Sequence, residues 1–158
     1  MKVEIVRVGE LYLDVYLNLA QSYEGEFSGI TGKKPDTKGL FALDTPLGDC
    51  VVGFLLILAG TPAGLAAVVV KPGSRFEVAE FYIVPSFRKQ AWGMRFAHNL
   101  WQMFPGQWEV KQIQGAEYAS KFWCRAIREF TQGDFVEDKY QDPYWGLVTR
   151  QQFVGRAW

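Results

Sequence analysis

The chain is poor in the residues that metal and redox chemistry draw on. Its 158 residues include one His and two Cys, Cys50 and Cys124, far apart and outside any CxxC spacing, so no protein-built metal site is expected. Both thiols read as reduced, small core-type residues of a cytoplasmic protein. An excess of one charge is also missing: 17 basic groups stand against 17 acidic ones, which argues against a nucleic-acid-coating surface. The N-terminus carries Glu4, Glu10 and Asp14 and lacks the continuous apolar run of an export signal. No repeat, low-complexity tract or linker interrupts the chain, so residues 1–158 are expected to form one domain.

What is present is apolar and aromatic material: 49% hydrophobic residues against 22% charged, with 6 Trp, 7 Tyr and 12 Phe, the composition of a chain with a packed core. Aromatics in that number would also supply a homodimer surface, but periodicity does not separate exposed rings from core ones. Residues 51–70, VVGFLLILAGTPAGLAAVVV, carry no charge and are long enough to span a bilayer. Gly and Pro in the central AGTPAG instead predict a turn between two buried strands, 51–58 and 65–71, and no membrane partner.

Strand-like alternation covers residues 2–8. From Glu10 to Tyr23 the spacing of Leu11, Val15 and Leu19, with Tyr12, Tyr16 and Ala20 beside them, predicts an amphipathic helix, followed by a polar loop over 28–39. A strand is expected from Phe76 to Val84, stopped by Pro85. Helices follow at 91–104 and 115–130, separated by a strand at 107–113, and strands 135–140 and 144–153 flank Asp142-Pro143. His98 falls inside the first of those helices and reads as a packing or surface residue. This order predicts an α/β chain of the α+β type, with a mixed sheet and helices on its faces.

The stretch from Glu80 to Arg95 carries the chemistry. An apolar strand runs into a turn holding Arg88 and Lys89, and a helix begins beside two small residues, Ala91 and Gly93. Successive backbone amides at a helix N-terminus suit an anion such as pyrophosphate. The plain alternative is a strand-turn-helix in which Gly93 only permits packing. Charge is concentrated here: residues 71–95 hold 5 basic and 2 acidic groups, whereas residues 1–50 hold 5 and 8. Glu80 shares a strand face with Tyr82 by period-two alternation and is a candidate general base, its alternative being a solvated strand-end carboxylate. Residues 10–28 contain Glu10, Asp14, Glu24 and Glu26 but no Lys or Arg, an acidic stretch that would suit a cationic partner, or else a solvated acidic face.

Pro85-x-x-Arg88-x-x-Ala91-x-Gly93, after an aromatic and aliphatic strand, resembles the acyl-CoA-binding motif of the GNAT superfamily of N-acetyltransferases, with Ala91 standing at the motif's first Gly. Ala116-x-x-Ala119-x-x-Phe122-Trp123 is similar to that family's second motif, with Ala116 where an Asn is common. The resemblance implies a GNAT-like acyl-CoA N-acyltransferase fold: a mostly antiparallel sheet with a splayed parallel pair of strands. It implies acetyl-CoA as acyl donor, no metal, and a small-molecule primary amine as acceptor, attacked directly. Tyr82, Ile83 and Val84 would pair with the pantetheine arm. Amides of Arg88, Lys89, Gln90, Ala91, Trp92, Gly93 and Met94 would hold the pyrophosphate, with Arg88 and Lys89 adding charge. Phe122 and Trp123 match positions near the thioester, or else are core contacts of the last helix. Trp123 also stands where a general-acid Tyr is common, and its indole offers no comparable proton; Tyr118 is the substitute candidate. A second reading is a GNAT-like module that binds CoA without efficient catalysis.

Overall fold

The computed structural model describes residues 1–157. Its seven strands form one sheet in the order β1-β2-β3-β4-β5-β7-β6. The strands are β1 (Val3–Arg7), β2 (Val51–Leu58), β3 (Thr61–Lys71), β4 (Arg75–Ile83), β5 (Gly106–Ile113), β6 (Val136–Asp142) and β7 (Gly146–Gly155); the helices are α1 (Leu13–Thr31), α2 (Trp92–Met103) and α3 (Glu117–Thr131). Every neighbouring pair is antiparallel except β4 and β5. Among the described residues no helix is long and apolar enough to cross a membrane.

The apolar run 51–70 is a hairpin, but its turn is tighter than the Gly and Pro content suggested. Ala59 (φ 49°) and Gly60 (φ 81°) form a two-residue reversal, the left-handed pair that matches strand twist, and β3 begins at once with Thr61. Pro62 is absorbed where the register slips between Leu56 and Ile57, because a bulge tolerates a residue without an amide hydrogen. Phe54 to Leu58 and Ala63 to Val68 are buried without alternation, since helices cover both faces of these central strands.

Helix α1 runs eight residues beyond the expected Tyr23, to Thr31, and ends at Gly32 (φ 75°), whose amide donates to Ser28 O. The Ser28–Thr31 part of the expected loop is therefore helical. Its buried stripe is Tyr16, Ala20 and Glu24, whereas Leu11 is exposed. That stripe faces a small core with Leu55, Ile57, Leu65 and Tyr82. The larger core lies on the other face, where α2 and α3 bring Phe96, Trp101, Trp123 and Phe130 onto Phe76, Trp108 and Phe153. Most of the aromatic excess lies there. His98 belongs to the same packing, its Nε2 lying 2.9 Å from Ala126 O and its ring against Trp101 and Phe130. Both cysteines are free, but Cys50 is exposed rather than core.

Two features of β4 position the site. First, its pairing to β5 covers only Arg75–Val78 against Gln107–Val110; beyond Val78 the two strands separate, giving the splayed parallel pair that the motif resemblance implies. Second, Ala67 lies opposite Glu80 while Val68 lies opposite Val78, so Ala79 is an extra residue. A bulge of this kind reverses the facing of the residues beyond it. Phe76 and Val78 point into the larger core, whereas Glu80 and Tyr82 turn to the α1 side.

Candidate active site

Beyond the bulge, Val84 donates its amide to Ala63 O at 2.8 Å. An antiparallel ladder alternates, so Tyr82 and Val84 commit their backbone groups to β3, and Phe81 and Ile83 turn theirs toward the gap. Of the three residues expected to meet a pantetheine arm, only Ile83 presents its backbone there. Its carbonyl already accepts Arg88 Nε at 2.9 Å.

Arg88 is committed elsewhere than to the turn amides. Its Nη2 pairs with Glu26 of α1 at 2.9 Å, and the guanidinium lies over the Tyr82 ring at 5.5 Å. Lys71 and Arg75 stand at the opposite end of β4, roughly 25–30 Å from the turn by strand rise. The positive segment is thus divided. At the turn itself, exposed Lys89 forms no ion pair among the described residues.

The turn does present amides. Phe87 and Arg88 donate to Val84 and Pro85, and the first amide returned to α2 is Arg95 N to Ala91 O. Among the described residues, those of Lys89, Gln90, Ala91, Trp92, Gly93 and Met94 have no protein acceptor, as expected at an uncapped helix start. Lys89 (φ 66°) and Ala91 (φ 64°) are both left-handed, which accounts for the glycine preference at the Ala91 position. Gly93 has a packing role: a Cβ there would lie 3.0 Å from Phe122 Cε1 and 3.4 Å from Ile83 Cγ1.

Phe122 therefore backs the turn from α3 and stacks on Phe81 at 5.7 Å. Trp123 is a core residue, 6% exposed, against Phe81, Phe122 and Trp101. Tyr118 stands 66% exposed in the first turn of α3.

Glu80 is not a solvated strand-end carboxylate; it is 3% exposed. Its Oε1 accepts the Thr45 amide at 3.1 Å, and its Oε2 has no hydrogen-bond partner among the described residues. Burial pushes its carboxyl up to about 7, helped by Glu24 and Asp44 and opposed by the Thr45 amide and Lys33. Lys33 Nζ meets Glu24 Oε2 at 3.0 Å and Asp44 Oδ1 at 2.8 Å. Of the acids expected to attract a cation, Glu24 is buried here, Glu26 is taken by Arg88, and Glu10 and Asp14 are exposed. Sequence reading missed the contribution of Tyr16, Lys33, Asp44 and Thr45. One signal was legible: Glu24 continues the Tyr16-Ala20 stripe at helical spacing, and a carboxylate on a buried stripe needs a reason.

No family model matches this sequence, and no curated protein matches it. The three-dimensional likeness is extensive. The ribosomal-protein-S18-alanine N-acetyltransferase of Escherichia coli is similar over 99% of this chain and 96% of its own, with a TM-score of 0.63 at 11% identity. The PaiA N-acetyltransferase of Thermoplasma acidophilum, solved in complex with coenzyme A, gives 0.66 at 9% identity, covering 97% of this chain and 100% of that one. A CoA-dependent acyl-homoserine lactone synthase solved with SAM and isopentyl-CoA gives 0.67 at 13% identity, over 98% of this chain and 84% of that one. The splayed β4–β5 pair, the amide turn after β4 and these likenesses agree: this chain has the GNAT acyl-CoA N-acyltransferase fold.

Proposed function

We propose that this protein is an acetyl-CoA-dependent N-acetyltransferase acting on a primary amine of a small cationic compound, with Glu80 as the base. The observation that carries the reading is a buried carboxyl, pushed up to about 7, on the splayed half of β4, whose gap edge has no strand partner. A general base works best with a pKa near the operating pH. The acyl donor is a substrate: the amides from Lys89 to Met94 suit its pyrophosphate, with the Lys89 ammonium beside them, and the β4–β5 gap suits its pantetheine arm.

In the reaction, the acceptor's ammonium passes a proton to Glu80, and the neutral nitrogen attacks the thioester carbonyl carbon. The C–N bond forms as the carbonyl becomes an oxyanion, which the Ile83 amide stabilises; such a donor is commonly worth on the order of 10²–10³ in rate. Collapse breaks the C–S bond, and the remaining proton on nitrogen leaves to the thiolate or to water. A thiol titrates near ~8.5, so the thiolate departs without a dedicated acid. The exposure of Tyr118 and the burial of Trp123 favour that course over proton delivery from α3.

Those same two residues favour the second reading, a CoA-binding module with little turnover. Acetyl-CoA at a hundred times its Kd should stabilise either form by about 2.7 kcal/mol. Thiol release across a panel of cationic amines then separates them: release identifies an enzyme, and binding without release a module. No thermal shift with acetyl-CoA or longer acyl-CoAs sinks both.

A further inference from the structure

One side chain closes the gap edge of β4. The single 3₁₀ turn Pro85–Phe87 follows the strand directly, and the Arg88 amide donates back to Pro85 O at 3.2 Å. The chain therefore reverses, and the Arg88 side chain returns onto the strand it has just left. There Nε donates to Ile83 O at 2.9 Å, Nη2 donates to Glu26 Oε1 of α1 at 2.9 Å, and the guanidinium lies 5.5 Å from the Tyr82 ring centroid. A long side chain with much rotamer freedom to lose is thus fixed by three different groups.

Those contacts lie where α1 crosses the splayed strands. Tyr23 meets the Tyr82 ring edge-on at 5.9 Å, and one turn further Glu26 meets Arg88. A turn beyond that, Ile30 Cγ2 lies 3.3 Å from where a Gly115 Cβ would stand, in the connection from β5 to α3. The C-terminal half of α1 therefore reaches from the end of β4 to the end of β5, and Arg88 is a polar tie on the β4 side.

Ile83 turns both its amide and its carbonyl toward the gap. A pantetheine arm laid along that edge as an added strand gives an amide N–H to the carbonyl, yet this carbonyl already serves Arg88 Nε. The guanidinium is in turn neutralised by Glu26, so a competing anion is what draws it away. Acetyl-CoA carries both replacements: an amide N–H for Ile83 O, and a diphosphate for the guanidinium at turn amides that begin with the next residue, Lys89. A phosphate-free thioester carries only the first.

We infer that Arg88 and Glu26 form a latch on the donor seat that a diphosphate releases, so that the protein selects CoA thioesters over phosphate-free pantetheine thioesters. The inference rests on the reading of the β4–β5 gap as the pantetheine seat. Binding exchanges two contacts for two: the arm's amide replaces Nε on Ile83 O, and the diphosphate replaces the Glu26 carboxylate on Nη2. A guanidinium pairs with phosphate oxygens in the same forked geometry as with a carboxylate. Glu26 is a positioning residue in this scheme, acting on the donor through Arg88.

The test is calorimetry without an acceptor amine, titrating S-acetylpantetheine, acetyl-CoA and inorganic pyrophosphate into the wild type, Glu26→Gln and Arg88→Ala. The two side chains are 52% and 25% exposed, so either substitution leaves the core intact and folding is retained. In the wild type, saturating pyrophosphate should tighten S-acetylpantetheine about two- to fivefold, the worth of a partly exposed ion pair. By linkage S-acetylpantetheine should tighten pyrophosphate by the same factor. In each variant S-acetylpantetheine alone should bind tighter by a similar factor, and the coupling should vanish. Acetyl-CoA should gain in Glu26→Gln but not in Arg88→Ala, which also loses a phosphate contact. A pair that only supports the fold gives independent binding of pyrophosphate and S-acetylpantetheine in the wild type, and donor affinities no tighter in the variants. That result, with acetyl-CoA still bound, overturns the latch and leaves the donor seat standing. If acetyl-CoA binds none of the three proteins, the reading of the seat fails and the latch fails with it.

Discussion

Glu77 and Glu80 belong to one strand, yet they occupy opposite surroundings. Glu77 lies on the half of β4 that is paired on both edges, and its Oε1 meets Lys71 Nζ at 3.1 Å and Lys111 Nζ at 3.4 Å. Those lysines also meet Glu109, which Arg150 approaches, and Arg150 pairs with Asp138. Three cations and three carboxylates cancel on an open sheet face. For Glu109, burial works upward but Lys111 and Lys71 more than offset it, so its carboxyl sits below its ordinary value. Glu80 lies past the bulge, where one ammonium, Lys33, serves Glu24 and Asp44, and its own carboxyl is pushed up to about 7. The difference comes from charge stoichiometry and solvent access together. A balanced lattice at a surface only supports the sheet, whereas an acid-rich buried group stores a titration in the range where a base is useful.

Neutralising each carboxylate in turn puts the contrast to its hardest test. Glu80→Gln should lower acetyl transfer by about 10²–10⁴, the usual worth of a general base, while Glu77→Gln leaves it within about twofold. Equal losses would end the distinction. The wild-type rate should also rise with pH through about 7.

Stability should run the other way. The folded Glu80 carboxyl titrates near 7 and its unfolded form near 4.5, so between these values the folded chain binds the extra proton. This group's contribution is most favourable below about pH 4.5 and is lost as pH rises through 7, by about 3–4 kcal/mol in all. Denaturant titrations at pH 5 and pH 8 should show that fall in the wild type and not in Glu80→Gln; an equal slope in both would refute it.

Smaller effects probe the splayed half itself. Gly93→Val places carbon against Phe122 and Ile83, so it should cost about 1–3 kcal/mol by overpacking. It should also weaken acetyl-CoA binding, as calorimetry would report; unchanged values for both would mean α2 does not press on α3 there. Smallest is Ala91→Gly, which relieves a left-handed alanine and should add about 0.5–1 kcal/mol. A loss of stability would contradict the turn geometry.

Much of this was legible beforehand where a residue's meaning is local. Pro85 ended β4, helical spacing over 91–104 located α2, and the pattern from Arg88 to Gly93 marked the amide turn. The facing of Glu80 with Tyr82 was also readable, because no bulge lies between them. Other features depended on distant partners. Arg88 sits in the turn motif, but its charge is drawn back by Glu26, on α1. Trp123 matched a position near the thioester, but Phe81 from β4, Trp101 from α2 and its own neighbour Phe122 hold it in the larger core. Residues 28–39 read as a polar loop and no site residue was expected in it or in the stretch up to the hairpin, yet Lys33, Asp44 and Thr45 reach the two buried glutamates.

By itself the sequence determined the element order, the hairpin in place of a membrane span, and the strand-turn-helix after β4, since turn residues and hydrophobic periodicity act over a few neighbours. Tertiary structure alone decided which carboxylate is buried and pushed up to about 7. Ala79 reversed the facing of β4, α1 removed solvent, and Glu24 and Asp44 outnumbered Lys33. Burial and charge balance are properties of a three-dimensional neighbourhood, and residues distant along the chain supply that neighbourhood for Glu80.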